Sequence, residues 1–164
     1  MSNDRRRRDE AAWSTKSALR HLTYGVYVIS ARRGEELNAM TVRMVTQVCA
    51  QPPCIAVSVL KRRHTHAFIC ESRAFVINVL AQGQEMLGGH FGLRSGRDMD
   101  KMAGVEFEAG VTGAPILREC SAFLECRLVA AHEMGNTTLF IGEVVSEGVF
   151  GHPPLRYREE DYFG

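Results

Sequence analysis

The chain has 164 residues, of which 45% are hydrophobic and 24% charged, and its formal net charge is +1. One domain with a full core is expected, because a chain of this size buries about 70% of its unfolded surface. The near-neutral balance gives no case for bulk nucleic-acid binding, no apolar run reaches the ~18 residues needed to span a bilayer, and no apolar stretch follows the early arginines as a secretion signal would require.

Residues 1–11 are polar and read as a loose N-terminal tail, with polyanion contact by Arg5–Arg8 as the alternative. The folded domain is expected over 12–164. Residues 12–22 place Trp13, Ala18, Leu19 and Leu22 near one face of a helix, which Gly25 stops. Residues 26–30, Val-Tyr-Val-Ile-Ser, form a β-branched and aromatic strand, followed by a hairpin turn around Gly34. One strand is expected through Ala39–Val48 and a second through Cys54–Lys61, joined across Pro52-Pro53, which cannot donate ladder hydrogen bonds. Residues 64–72 suit a short helix and 74–80 a further strand. Residues 82–91 are helical in composition and close on Gly88-Gly89. The polar loop 92–101 leads to a short helix begun by Asp98 and ending at Ala103. Residues 105–113 look like turns or an edge, and 114–117 are extended around Pro115. The last strand pair covers 122–131 and 138–149, with a turn at 133–136.

Six or seven strands with short intervening helices imply mostly antiparallel pairing: a small barrel with helices at its ends, not a doubly wound sheet. No glycine-rich phosphate loop joins a strand to a helix, and no nucleophile elbow is present. The five cysteines (49, 54, 70, 120 and 126) lack metal-ligand spacing and read as small core residues in a reducing compartment, the cytoplasm. His64 and His66 lack a third ligand, so no metal is expected. Glu159, Glu160 and Asp161 read as a solvated face. The segment 58–65 puts Ser58, Lys61, Arg62, Arg63 and Thr65 at a strand-to-helix junction, where backbone N–H groups and arginines suit an anion. On composition alone a solvated strand end fits equally well. Ser95, Arg97 and Lys101 form a second basic loop able to approach the same anion.

Read in order, Tyr24-Gly-Val-Tyr-Val-Ile, Asn38–Val48, Pro52-Pro53, Ile55–Lys61, Thr65-His66, Phe75–Leu80, His90-Phe-Gly92, Ser95–Lys101, Thr112–Leu117, Leu124–Arg127 and Leu139–Val144 resemble the flavin reductase-like family of FMN-binding split barrels. The loop Phe91–Lys101 is most similar to the flavoredoxin and rubredoxin-linked branch. Each motif is weak alone, and their shared order over residues 15–158 is specific. The resemblance implies a mainly β fold: a six-stranded, antiparallel, Greek-key-like split barrel that dimerises, with FMN near the interface. Residue by residue, it implies that Asn38 and Thr41, Val42, Arg43 and Met44 lie along the flavin ring, with Ser58 and Val59 beside it. Lys61, Arg63 and Thr65 would hold the phosphate, with Ser95, Arg97 and Lys101 approaching it. Asn78, Val79 and Leu80 would line the pocket, and Phe91 would pack near the flavin.

The implied activity is reduction of FMN by NADH or NADPH, with FAD left open as the flavin, for delivery to a monooxygenase or redox-protein partner. Flavin carries the hydride chemistry, so no acid/base pair is needed. Many members carry Gly-Asp-His-Thr before the last long strand. Here Gly135-Asn136-Thr137-Thr138 stands there, so nicotinamide placement near Asn136 and Thr137 lacks the family histidine. Two other readings follow: an electron-transfer flavoprotein that holds FMN tightly without direct NAD(P)H turnover, and a split-barrel ligand-binding module with no catalysis. Arg43 has two readings as well: facing the reduced flavin, or pointing outward.

Overall fold

The computed structural model describes residues 18–163. The proposed tail and the first part of the proposed helix at 12–22 lie outside the described residues. Within them, Ala18–His21 is a single 3-10 turn with no buried side chain.

Nine strands follow: β1 (Tyr27–Arg33), β2 (Glu36–Val42), β3 (Val45–Ala50), β4 (Pro53–Leu60), β5 (Ala74–Val79), β6 (Phe107–Ala109), β7 (Pro115–Leu117), β8 (Ala122–Met134) and β9 (Thr137–Val149). Helix α1 (His64–Ser72) joins β4 to β5, α2 (Glu85–Leu93) follows β5, and α3 (Glu160–Phe163) ends the described chain. The main sheet runs β2-β1-β5-β8-β9-β4-β3, and its neighbours pair antiparallel. β6 and β7 form a separate hairpin.

The main sheet has seven strands, within the six or seven read from the residues, and the run Ala39–Val48 is not one strand. It breaks at Arg43-Met44 into β2 and β3, which occupy opposite ends of the sheet order. Two residues joining the two edges force the sheet to curl on itself. β2 touches β4 across the gap, and the Ser58 N–H donates to the Met44 carbonyl (3.1 Å). The result is a barrel closed by contact, with no ladder between β2 and β3: a split barrel.

Strand alternation sends alternate residues to opposite faces. Ile29, Ala31, Met40, Val42, Ile55, Val57, Val59, Phe75, Ile77, Cys126, Leu128 and Phe140 fill the interior, plugged by Phe68 and Ile69 of α1. Outside β1 and β2, Val28 and Ala39 pack with Leu80, Phe91, Met102 and Leu155. This second layer holds α2 and the following loop against β2.

Three local expectations change. α2 runs through Gly88, Gly89 and Gly92 rather than stopping at them. A Cβ on Gly88 would come within 2.7 Å of the Tyr162 hydroxyl, and one on Gly92 within 3.2 Å of Thr41 Cβ. These glycines serve close packing. Residues 98–103 form turns instead of a helix, since Asp100, not Asp98, accepts the capping bond, from the Met102 N–H (2.9 Å). β8 and β9 run to Met134 and from Thr137, so the expected four-residue turn shrinks to Gly135-Asn136. Among the cysteines, 54, 120 and 126 are buried as expected, whereas Cys49 and Cys70 are exposed.

Candidate functional site

α1 begins at Arg63, which adopts an extended conformation and gives its helix no side-chain cap. The first turn of a helix directs its leading N–H groups outward. Thr65, in that turn, is buried and accepts a hydrogen bond from Asn38 Nδ2 of β2 (2.9 Å). A Cβ on Gly96 would sit 2.3 Å from Asn38 Oδ1, so the loop after α2 presses directly on this pair. Only glycine permits that approach.

The same loop brings in Arg97 and Lys101, and Arg63 joins them from the start of α1. Arg97 Nη1 donates to the Arg62 carbonyl (2.8 Å), and Arg63 Nη1 donates to the Gly92 carbonyl (3.3 Å). Lys101 is 3% exposed; its Nζ donates to the carbonyls of Phe91 (3.1 Å) and Arg94 (3.3 Å) at the end of α2. Those carbonyls carry the negative end of the helix, which favours a cation. An ammonium has three protons, and these bonds use two. Among the described residues no carboxylate forms an ion pair with Lys101. Burial, followed by the nearby Arg63, lowers the Lys101 pKa from 10.5 to about 8. His64, held below its usual value by burial and then by Arg97 and Arg33, lies beside it.

Asn38, His64, Phe68, Gly96, Lys101 and Phe107 line one cavity of about 440 Å³. Its acidic neighbours are Glu35, Glu36 and Asp100: Glu35 pairs with Arg32 (3.4 Å), Glu36 with Arg33 (3.0 Å), and Asp100 accepts from the Met102 N–H. A second cavity of about 420 Å³ is bordered by Glu106, Glu108 and Glu119 with Arg118, a lining unsuited to an anion.

The structure thus joins Asn38, Arg63, Thr65, Arg97 and Lys101 into one corner, with Ser95 turning the loop by accepting from the Arg97 N–H (3.2 Å). Other expected residues lie elsewhere. Lys61 pairs with Glu133 (3.5 Å) at the β8–β9 hairpin, where its N–H also donates to the Asn136 carbonyl (2.9 Å). Thr137 Oγ1 donates to the Met134 carbonyl (2.9 Å), and Thr138 bonds His66 of α1 (2.8 Å). The hairpin tip is therefore tied to the residues that lead into α1. Thr41 faces α2, donating to the Gly88 carbonyl (2.6 Å), while Val42 points into the barrel. Arg43 lies over the rings of Tyr157 (4.9 Å) and Tyr24 (5.3 Å), which takes it to the C-terminal segment. Met44 and Ser58 meet at the split.

The side chains of Val59, expected beside the ring, of Asn78 and Leu80, expected along the pocket, and of Phe91, expected near the flavin, are packed into the fold. Val59 fills the barrel. Asn78 donates to the Val28 carbonyl (3.0 Å) and to Ser30 Oγ (3.1 Å), and accepts from the Leu117 N–H (2.8 Å). Leu80 and the Phe91 ring pack in the outer core, although the Phe91 carbonyl reaches Lys101. Val79 pairs with both Tyr27 and Ala122 inside the sheet. His64 and Gly96 were not singled out as site residues from sequence. His64 lies within the basic segment 58–65, and nothing local marks Gly96 as facing Asn38.

The fold and this corner define a class: a small split barrel with a cationic corner between a helix N-terminus and a glycine-bearing loop. Residues 19–164 match the flavin reductase like domain, and the chain belongs to that family. It is 41% identical to a high molecular weight rubredoxin of Moorella thermoacetica over 134 residues, covering 80% of this chain and 58% of the relative. It is 34% identical to the FMN reductase (NADH) SmoA of Agrobacterium fabrum, covering 83% and 76%. Among solved structures, an FMN-binding protein from Thermus thermophilus with bound 1-cyclohex-2-enone superposes with a TM-score of 0.82 at 28% identity, covering 91% of this chain and 89% of that one. Flavoredoxin from Methanosarcina acetivorans gives 0.77 at 28% identity, covering 85% and 82%. Among the described residues no helix is long and apolar enough to cross a membrane, and no group of three or more His, Cys, Asp or Glu is placed to hold a metal.

Proposed function

We propose that this chain binds FMN and acts as an NAD(P)H-dependent flavin reductase in the cytoplasm, passing reduced flavin or electrons to a partner. The observation that carries this reading is Lys101: a buried ammonium beside Arg63, with one proton uncommitted and no carboxylate paired to it among the described residues. A buried cation left in that state costs stability unless an anion completes it. A phosphate monoester suits the seat, because Lys101, Arg63, Thr65 and the uncapped start of α1 all supply donors to one corner. FMN fits better than riboflavin for that reason, and the seat alone does not discriminate against FAD.

Once bound, the flavin supplies hydride acceptance and donation. The protein's own work is to bind and orient. Lys101, Arg63 and Arg97 fix the anionic end, Asn38 and Thr65 shape the floor, and the split at Met44-Ser58 offers backbone groups along which a ring system can lie. Asn136 and Thr137, tied to Lys61 and through Thr138 to His66, are the candidates for placing nicotinamide. The relative named FMN reductase (NADH) supports NADH as the donor. A homodimer with the flavin near the interface extends the same reading, supported by exposed apolar side chains along β8 and β9, among them Val129, Val145 and Val149.

One observation favours a second reading. The hairpin tip carries Asn136-Thr137 where the family has Asp-His, and a relative is named a rubredoxin. On that reading, FMN is held as a resident electron carrier and a protein replaces NAD(P)H as the reductant. Anaerobic titration of the FMN-loaded protein decides between them. Bleaching of the ~450 nm flavin band by stoichiometric NADH or NADPH supports the reductase. A band that persists with both nucleotides yet bleaches with dithionite supports the carrier.

A further inference from the structure

We infer that Cys49 and Cys54 are a cross-strand dithiol that a peroxide converts to a disulfide, pinning the edge strand β3 to β4. The two cysteines are direct partners in the β3–β4 ladder, one step from the turn closed by Ala50 and Pro53. Direct partners in an antiparallel pair share a face and have Cα atoms about 4.5–5.5 Å apart, within the roughly 4.4–6.8 Å that a disulfide requires. Burial is the larger cause that raises the Cys54 pKa, and the neighbouring Cys49 adds to it. The pair is asymmetric. Cys49 is exposed, whereas Cys54 is only 8% exposed.

That asymmetry sets the order of the chemistry. The Cys49 thiolate attacks one peroxide oxygen; an S–O bond forms, the O–O bond breaks, and the departing oxygen takes a proton and leaves as water. The Cys54 thiol then loses its proton and attacks the Cys49 sulfur, forming the S–S bond and expelling the second oxygen as water. Two thiols give up two electrons and two protons, and hydrogen peroxide is reduced to two waters. An accessible cysteine beside a resolving one is the arrangement that stops at the disulfide rather than proceeding to irreversible acids. Among the described residues β3 ends the hydrogen-bonded order of the sheet, with β4 as its ladder partner there. A bond between residues 49 and 54 therefore fastens a free edge.

The test treats the full chain with hydrogen peroxide under native conditions, blocks remaining thiols by alkylation, and maps the peptides by mass spectrometry. We expect a peptide spanning residues 49–54 that has lost two hydrogens and accepts two alkyl groups after dithiothreitol. In Cys54→Ser we expect Cys49 to stop as a sulfenic acid that dimedone traps, and in Cys49→Ser no linkage at Cys54. Conversion of wild-type Cys49 to sulfinic acid as fast as in Cys54→Ser, with no 49–54 bond, would overturn the inference. A bond found only between two chains would overturn it as well. Cys70, exposed on α1 without a cysteine opposite it, reports general oxidation in the same sample.

Discussion

Lys101 concentrates the residue-scale consequences. Its proton is held more weakly in the fold than in the unfolded chain, about 8 against 10.5. Below pH 8 both states carry the proton, and the ligand-free fold bears the full cost of the buried charge, roughly 3 kcal/mol for a shift of this size. Between about pH 8 and 10.5 the native state has lost its proton while the unfolded state keeps it, so stability rises with pH. Urea unfolding of the ligand-free protein should show that rise, and Lys101→Met should remove it while being more stable than wild type at pH 7. Flavin binding should run the other way. A bound phosphate raises the Lys101 pKa, so affinity for FMN falls as the pH rises above about 8, measured by quenching of flavin fluorescence. The identity of this lysine was legible through the family resemblance, and its burial was not. Asp98-Met-Asp-Lys101 reads as a solvated loop until the end of α2 supplies carbonyls for the ammonium.

At the scale of elements, the strands were readable because β-branched and aromatic residues alternate along them. The break at Arg43-Met44 was hidden, since neither residue interrupts the pattern and the chain crosses from one edge of the barrel to the other without a glycine or proline. The glycines of α2 misled in the opposite direction. They are stop signals locally, yet Tyr162 and Thr41 fill the space a side chain would need. Gly96 makes the loop's dependence on that kind of contact testable. Gly96→Ala should push the loop off Asn38 and weaken FMN binding roughly tenfold or more, in line with the ~1–3 kcal/mol typical of overpacking, with the barrel's circular dichroism unchanged. Glu125 tests a different join. It is fully buried on β8 and accepts from the Val111 N–H (3.2 Å), the Thr112 N–H (2.7 Å) and Thr112 Oγ1 (2.6 Å), which fixes the turn of the β6–β7 hairpin. Glu125→Ala strands those donors and should cost roughly 3 kcal/mol in chemical denaturation.

For the whole molecule, the barrel closes by contact between β2 and β4, and the Lys101 corner lies on the outside, between the wall and α2. The inner core sets the frame, while the outer layer of Phe91, Met102 and Leu155 positions the loop that carries Lys101. Exposed apolar residues on the long hairpin fit a dimer, so sedimentation at micromolar concentration should give twice the chain mass; a monomer alone would argue against a site shared between subunits. The central claim is that the Lys101 corner receives a phosphate, and the ratio of FMN to riboflavin affinity tests it most directly. Wild type should prefer FMN by a wide margin, and Thr65→Ala combined with Lys101→Ala should lose most of that preference, each charge-assisted bond being worth roughly 1.5–3 kcal/mol. Equal losses for FMN and riboflavin would contradict the assignment.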